Sequence, residues 1–177
     1  QHLDVAVLDS LTPFLSLVMA QYLADGKLPR RGEFIVAGGY ACYNVYETKD
    51  GRYITLGCPE QKYWEYFCRT VGREDLIEAQ FTPPPEQDDV IREVRAVFRR
   101  KTLAEWLQIL DHHRTCVAPV NTLHEALEDP QVRERGLWFK ARHPGDGQIP
   151  QQAFPIKCSE DQPGWRSHPP LHGEHTW

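Results

Sequence analysis

A chain of 177 residues, 41% apolar and 25% charged, has the makeup of an ordinary globular protein with enough apolar surface for a core, which excludes wholesale disorder. Its formal charge of −5, with no basic run longer than Arg99-Arg100-Lys101, argues against a surface that gathers nucleic-acid phosphates. Five cysteines, at 42, 58, 68, 116 and 158, are odd in number and lack Cys-x-x-Cys spacing, which argues against a disulfide framework or a thiolate zinc site and suits a reducing, cytoplasmic location.

In chain order, Leu3-Asp4-Val5-Ala6-Val7 alternates as a short strand, and Asp9 or Ser10 caps a helix whose apolar residues Phe14, Leu15, Val18, Met19 and Tyr22 recur at helical spacing. Pro13 is tolerated in that first turn. The apolar run 3–23 is interrupted by Asp4, Asp9, Ser10, Thr12, Pro13 and Gln21 and has no basic leader, so it reads as a buried element and not as a signal or membrane span. Beginning at Gln1 in mid-pattern, the chain reads as an excised piece. Residues 25–39 form a polar connection with glycine and proline, within which a domain boundary is placed. Gly38-Gly39 offers backbone N–H groups and close approach to a ligand; the plainer reading is a flexible entry to the next element.

The strongest local signal follows. Two β-rich runs, 43–48 and 52–58, flank Lys49-Asp50-Gly51, and an Asp-Gly pair tolerates the positive φ of a tight hairpin turn. Glu60 stands just past the second strand, where a helix begins. Residues 62–71 carry Tyr63, Trp64, Phe67 and Val71 at helical spacing, a stripe that reads as core more readily than as a stacking platform, closed by Gly72. Phe81-Thr82-Pro83-Pro84-Pro85 is a stiff break. Val90, Ile91, Val94, Val97 and Phe98 mark a second amphipathic helix, and Thr102-x-x-Glu105 is a capping box that opens a third through Trp106, Leu107 and Leu110. Residues 117–120 read as a buried strand that Pro119 assigns to an edge or bulge. Thr122-x-x-Glu125 opens another helix, Asp129-Pro130 caps the next, and residues 137–141 and 154–158 read as strands.

These elements add up to an α+β fold, a small antiparallel sheet with flanking helices, divided as 1–32, 33–142 and 143–177. The last portion reads as an extended arm, too poor in apolar periodicity to pack alone.

Few residues are candidates for chemistry. A Glu at the start of a helix favours the positive end of the helix dipole, which by itself accounts for Glu60; a carboxylate at an element junction can equally face a cleft. Asp4, Asp9 and Asp50 occupy strand, cap and turn positions that explain them. His168, His172 and His175, or His112, His113 and Cys116, have side chains able to ligate zinc, but without a rigid scaffold or second thiolate no metal is assigned. Cys42 and Cys116 have no histidine and acid arranged beside them by any motif, and free buried cysteines are common.

Several of these motifs together resemble the CoA transferase family III (CaiB/BaiF) enzymes, most of all the 2-methylacyl-CoA racemase branch. The resemblance rests on VYETKDGRYITLGCPEQKYW, on the Lys-Thr-x-x-Glu-Trp helix start, on Cys-Val-x-Pro-Val, on the Glu-Ala…Asp-Pro…Arg-Gly helix and on the Gly-Glu-His-Thr ending, all in order. It implies that residues 1–32 are a strand-helix remnant of a Rossmann-like CoA-binding domain, that 33–142 form the small domain, and that 143–177 return toward the large domain.

The resemblance also implies a function. Glu60 corresponds to the Glu that helps form the racemase active site, near a His and an Asp that precede Gln1; the branch's usual Glu-Pro is Glu60-Gln61 here. Gly38 and Gly39 correspond to a glycine loop over the acyl group in the transferase branch, whose nucleophilic Asp also lies upstream. The implied chemistry is α-proton exchange on an acyl-CoA thioester, with CoA transfer between carboxylic acids as the alternative and a non-catalytic assembly module as a second one. Coenzyme A enters as substrate and no cofactor is implied. The family's interlocked homodimer implies a chain that is inactive alone and closes an active site carried by the large domain of a second subunit.

Overall fold

Lys49-Asp50-Gly51 joins the two strands on which the first part of the chain is built. In the computed structural model, which describes residues 4, 6–28, 30–160, 164 and 167–174, strand β1 (Tyr43–Glu47) pairs antiparallel with β2 (Tyr53–Gly57) in a register that runs from Tyr43 opposite Gly57 to Glu47 opposite Tyr53. Of the turn residues only Gly51 adopts positive φ, at 72°. A third strand, numbered β3 (Val117–Pro119), pairs with the other side of β2, giving the order β1-β2-β3 and leaving Pro119 on an edge, as its missing N–H requires. The chain divides into two compact units, Gln1–Val120 and Asn121–Trp177, and the fold is α+β.

In the first unit the period-2 rule assigns the faces of the sheet. Tyr46, Ile54, Leu56 and Val117 point into a core that α3 (Gln61–Thr70), α4 (Gln87–Phe98) and α5 (Leu103–Ile109) complete with Trp64, Phe67, Val94, Val97, Phe98 and Trp106. Aromatic rings interlock at its centre. Phe98 stacks on Tyr46 at 4.9 Å between centroids and on Phe67 at 5.7 Å, and meets Trp106 edge-on at 5.4 Å. The aromatic stripe of α3 is therefore core. Gly72 follows the C-cap in left-handed conformation, and Thr102 and Glu105 form the complete capping box at the start of α5.

Two donors on the free edge of β1 are occupied. Tyr43 N–H donates to the Tyr40 carbonyl at 3.2 Å and Val45 N–H to the Asn44 side chain at 2.8 Å, which leaves those donors unable to recruit another strand.

The N-terminal segment corrects the sequence reading twice. Leu3 and Val5 of the expected strand lie outside the described residues, and Val7, its last member, begins helix α1 (Val7–Leu11); a short 3-10 turn leads to α2 (Ser16–Asp25), ended by left-handed Gly26. With no partner strand in the sequence nearby, helical hydrogen bonds within the segment satisfy the backbone instead. The segment is also exposed where burial was expected: none of its residues is buried, and Leu8, Phe14 and Leu23 are 75%, 84% and 76% exposed. By length and composition Val7–Asp25, at a mean hydropathy of 1.3, could cross a membrane. Its polarity is reduced further because the hydroxyls of Ser10 and Thr12 donate to the carbonyls of Ala6 and Leu8, four residues back.

In the second unit, α7 (Leu123–Glu128) carries the expected capping box of Thr122 and Glu125, and Asp129 caps α8 (Pro130–Glu134) by accepting from the N–H groups of Gln131 and Val132. In the first unit, the four-residue helix α6 (His112–Thr115), before β3, was not foreseen. Strand β4 (Trp138–His143) pairs antiparallel with β5 (Gly147–Gln152), so the last strand lies at 147–152 and not at the expected 154–158. Gly147 takes positive φ after the turn, while the polar Gln148, Gln151 and Gln152 hide the strand from an apolar-pattern reading.

Candidate functional site

Glu60 is reached by following β2 out of the sheet. Cys58 N–H donates to the Cys42 carbonyl at 2.7 Å, the last tie before the chain leaves the hairpin. The next two carbonyls, of Cys58 and Pro59, both accept from the side-chain amide of Gln80, at 3.1 and 2.9 Å. Glu60 then takes extended backbone (φ −76°, ψ 132°) as the N-cap of α3, and its carbonyl accepts the N–H groups of Tyr63 and Trp64. Its carboxylate does not cap the helix and has no hydrogen bond or ion pair among the described residues. The side chain is exposed.

The loop is held by two buried glutamines that a sequence reading passes over as polar. Gln80 is 4% exposed and Gln87 fully buried. The Gln87 amide nitrogen donates to the carbonyl of Thr82 at 2.8 Å and lies 3.3 Å from that of Gln80, while its oxygen accepts the Ala41 N–H at 3.1 Å. Gln87 sits three, four and seven residues before Val90, Ile91 and Val94, on the buried stripe of α4, and that register is the signal that could have found it. Nothing in the sequence around Gln80 marks it.

Gly38 and Gly39 follow a 3-10 turn at Ile35–Ala37. Gly38 has φ 87°, and its carbonyl accepts from the Asn44 side chain at 2.8 Å. At Gly39 a Cβ would stand 2.5 Å from the backbone carbonyl of Glu33. Backbone conformation and packing thus account for both glycines within the chain. An open groove of about 460 Å³ lies between Gly38 and the sheet, lined by Tyr43, Asn44, Thr55, Gly57 and Cys116; a second, of about 630 Å³, places Arg31, Glu33 and Asp88 around Gly39. Glu60 lines neither of these two grooves.

All five cysteines are free thiols. Burial pushes the thiol of Cys42 up to about 11 and that of Cys68 to about 12, and raises that of Cys58, which donates to the Thr115 carbonyl. These buried thiols stay protonated near neutral pH and are poor nucleophiles. Cys116 is exposed, at φ 46°. His143 Nδ1 lies 2.8 Å from the Asp146 carboxylate and His168 lies 3.9 Å from Glu174, whereas His175 and the side chains of His112 and His113 lie outside the described residues. Among the described residues no three His, Cys, Asp or Glu are grouped to hold a metal.

Comparison with known proteins gives a consistent picture. The chain is 30% identical to the mouse protein alpha-methylacyl-CoA racemase, covering 99% of this chain and 45% of that one, and 27% identical to succinyl-CoA:mesaconate CoA-transferase of Haloarcula marismortui, covering 99% and 44%. The crystal structure of a CAIB/BAIF family protein from Brucella suis shares the fold with a TM-score of 0.69 at 23% identity, over 99% of this chain and 46% of that one. The chain therefore spans about half the length of the curated relatives it matches. The sequence profile of CoA-transferase family III matches residues 1–176, and the chain belongs to that family.

Proposed function

We propose that this chain is the small-domain portion of an enzyme that exchanges the proton α to the carbonyl of a 2-methylacyl-CoA thioester. The observation that carries the reading is the Glu60 carboxylate: exposed, unpartnered among the described residues, and mounted on a loop fixed by Gln80. Such a group can take the α-proton or return it. Inversion at that carbon also needs a second proton-transfer group on the opposite face, because both enantiomers must be deprotonated and reprotonated. That group, and the acid or amide donors that stabilise the enolate oxygen, belong to the part of the protein matching the remaining length of the relatives.

Coenzyme A is substrate in this scheme and no cofactor takes part. The exposed apolar side of Val7–Asp25 supports docking of this helix against the rest of the protein, and assembly as a homodimer follows the same reading, with the small domain of one subunit closing the site of the other in the cytoplasm. By itself the chain then has little or no activity. CoA transfer between carboxylic acids is the second reading, favoured by the match to the Haloarcula transferase over the same share of the chain. Incubating the intact enzyme with 2-methylacyl-CoA in heavy water, with and without a free acid acceptor, separates them: deuterium at the α-carbon supports the first, a new thioester the second.

A further inference from the structure

We propose that Gln80 and Gln87 are positioning residues that fix the backbone from which the Glu60 carboxylate projects. The inference rests on the reading of Glu60 as an acid–base group, and its geometric half stands apart from that reading.

Gln80 spends its side-chain amide on the two carbonyls immediately preceding Glu60. A loop between a strand and a helix ordinarily satisfies such carbonyls with water and moves on fast timescales. Here both are held by a side chain that is 4% exposed, so the approach of the chain to Glu60 is fixed from inside the core. Gln87 holds the other end of the device. Its amide supports residues 79–82, the segment that carries Gln80, and its oxygen takes the N–H of Ala41, two residues after Gly39. One buried network therefore links the Glu60 loop to the entry of the β1–β2 hairpin, with no buried side-chain polar atom left unsatisfied among the described residues. A fully satisfied buried network fixes one geometry, and a proton-transfer group displaced by about 1 Å loses on the order of a hundredfold in rate.

The test is a double-mutant cycle in the intact enzyme, read by deuterium exchange at the α-carbon of 2-methylacyl-CoA. Gln80→Leu keeps the volume and removes the donors. Its kcat is expected to fall about 10- to 100-fold while KM changes less than about threefold, and the same substitution placed on Glu60→Gln is expected to add little further loss. Backbone amide exchange supplies the readout that does not depend on catalysis: Gln87→Leu is expected to release the Ala41 amide at least tenfold faster, and Gln80→Leu to loosen residues 58–61. Gln80→Asn keeps an amide one methylene shorter and carries the cycle if the leucine variant fails to fold. An equal loss with and without the Glu60 carboxylate, an unchanged kcat in the folded variants, or failure of the asparagine variant to fold would each overturn the positioning role. Full turnover by Glu60→Gln alone sinks the assignment of Glu60 instead, and the amide exchange then still reports whether the glutamines hold the loop.

Discussion

The Asp50 carboxylate, at the tip of the β1–β2 hairpin, accepts the backbone N–H of Leu103 at 3.2 Å, joining the turn to the first residue of α5 across 53 positions of sequence. The same oxygen accepts the Thr48 hydroxyl at 2.5 Å. An aspartate in an Asp-Gly turn thus serves twice, as turn former and as a long-range tie between the hairpin and the helix layer.

These bonds, with that from Thr48 the largest contributor, hold the Asp50 carboxyl below its ordinary value. A carboxylate with a depressed folded-state pKa contributes stability that is present above the ordinary carboxylate range and lost as pH falls through the depressed value. Asp50→Asn is therefore expected to be less stable than wild type at pH 7, with the difference shrinking toward pH 3. Urea titrations of both proteins at the two pH values check this; a difference that stays constant with pH would remove the charge from the explanation.

Gly39→Ala should cost more than Gly51→Ala. A Cβ on Gly39 meets the Glu33 backbone at 2.5 Å, and neither side can yield without moving main chain, whereas Gly51 has open space around it and only its φ of 72° opposes a side chain. The expected losses are about 1–3 kcal/mol for Gly39→Ala, by overpacking, and about 1 kcal/mol for Gly51→Ala, by left-handed strain, read from denaturant midpoints.

Phe98 is the hub of the aromatic core, touching Tyr46, Phe67 and Trp106. Phe98→Ala is expected to lose about 3–5 kcal/mol, with thermal unfolding as the measure, while Leu123→Ala, at a side chain 89% exposed, should fall within about 0.5 kcal/mol of wild type.

What the sequence made legible follows from where the signal is local. Asp50-Gly51, Thr102 with Glu105, Thr122 with Glu125 and Asp129-Pro130 each fix a turn or a cap within a few residues, and each element is found where its signal stands. Glu60 was likewise legible as the first residue before a helix. Long-range satisfaction was not legible: Gln80 and Gln87 earn their burial only from carbonyls and an N–H brought together by the fold. Strand β5 escaped for the opposite reason, since its partner β4 supplies the pairing that Gln148, Gln151 and Gln152 do not advertise. The helical character of Val7 was missed because alternation over five residues cannot outweigh the continuous helical spacing that follows it.

The exposed helix Val7–Asp25 makes a direct forecast for this polypeptide in isolation. Its uncovered Leu8, Phe14 and Leu23 should drive self-association, and the double substitution Phe14→Ser and Leu23→Ser should reduce it, as followed by light scattering across a concentration series. A monodisperse monomer whose helix amides resist hydrogen exchange would contradict the proposed docking of this helix.

The rate of deuterium incorporation at the α-carbon of 2-methylacyl-CoA by the intact enzyme in heavy water, measured with Glu60 and with Glu60→Gln, decides the proposed role of this carboxylate. Loss of one proton-transfer group should slow exchange about 10²- to 10⁴-fold while leaving thioester binding near the wild-type value. Exchange at the unaltered rate in a folded Glu60→Gln enzyme would show that this carboxylate has no part in the reaction.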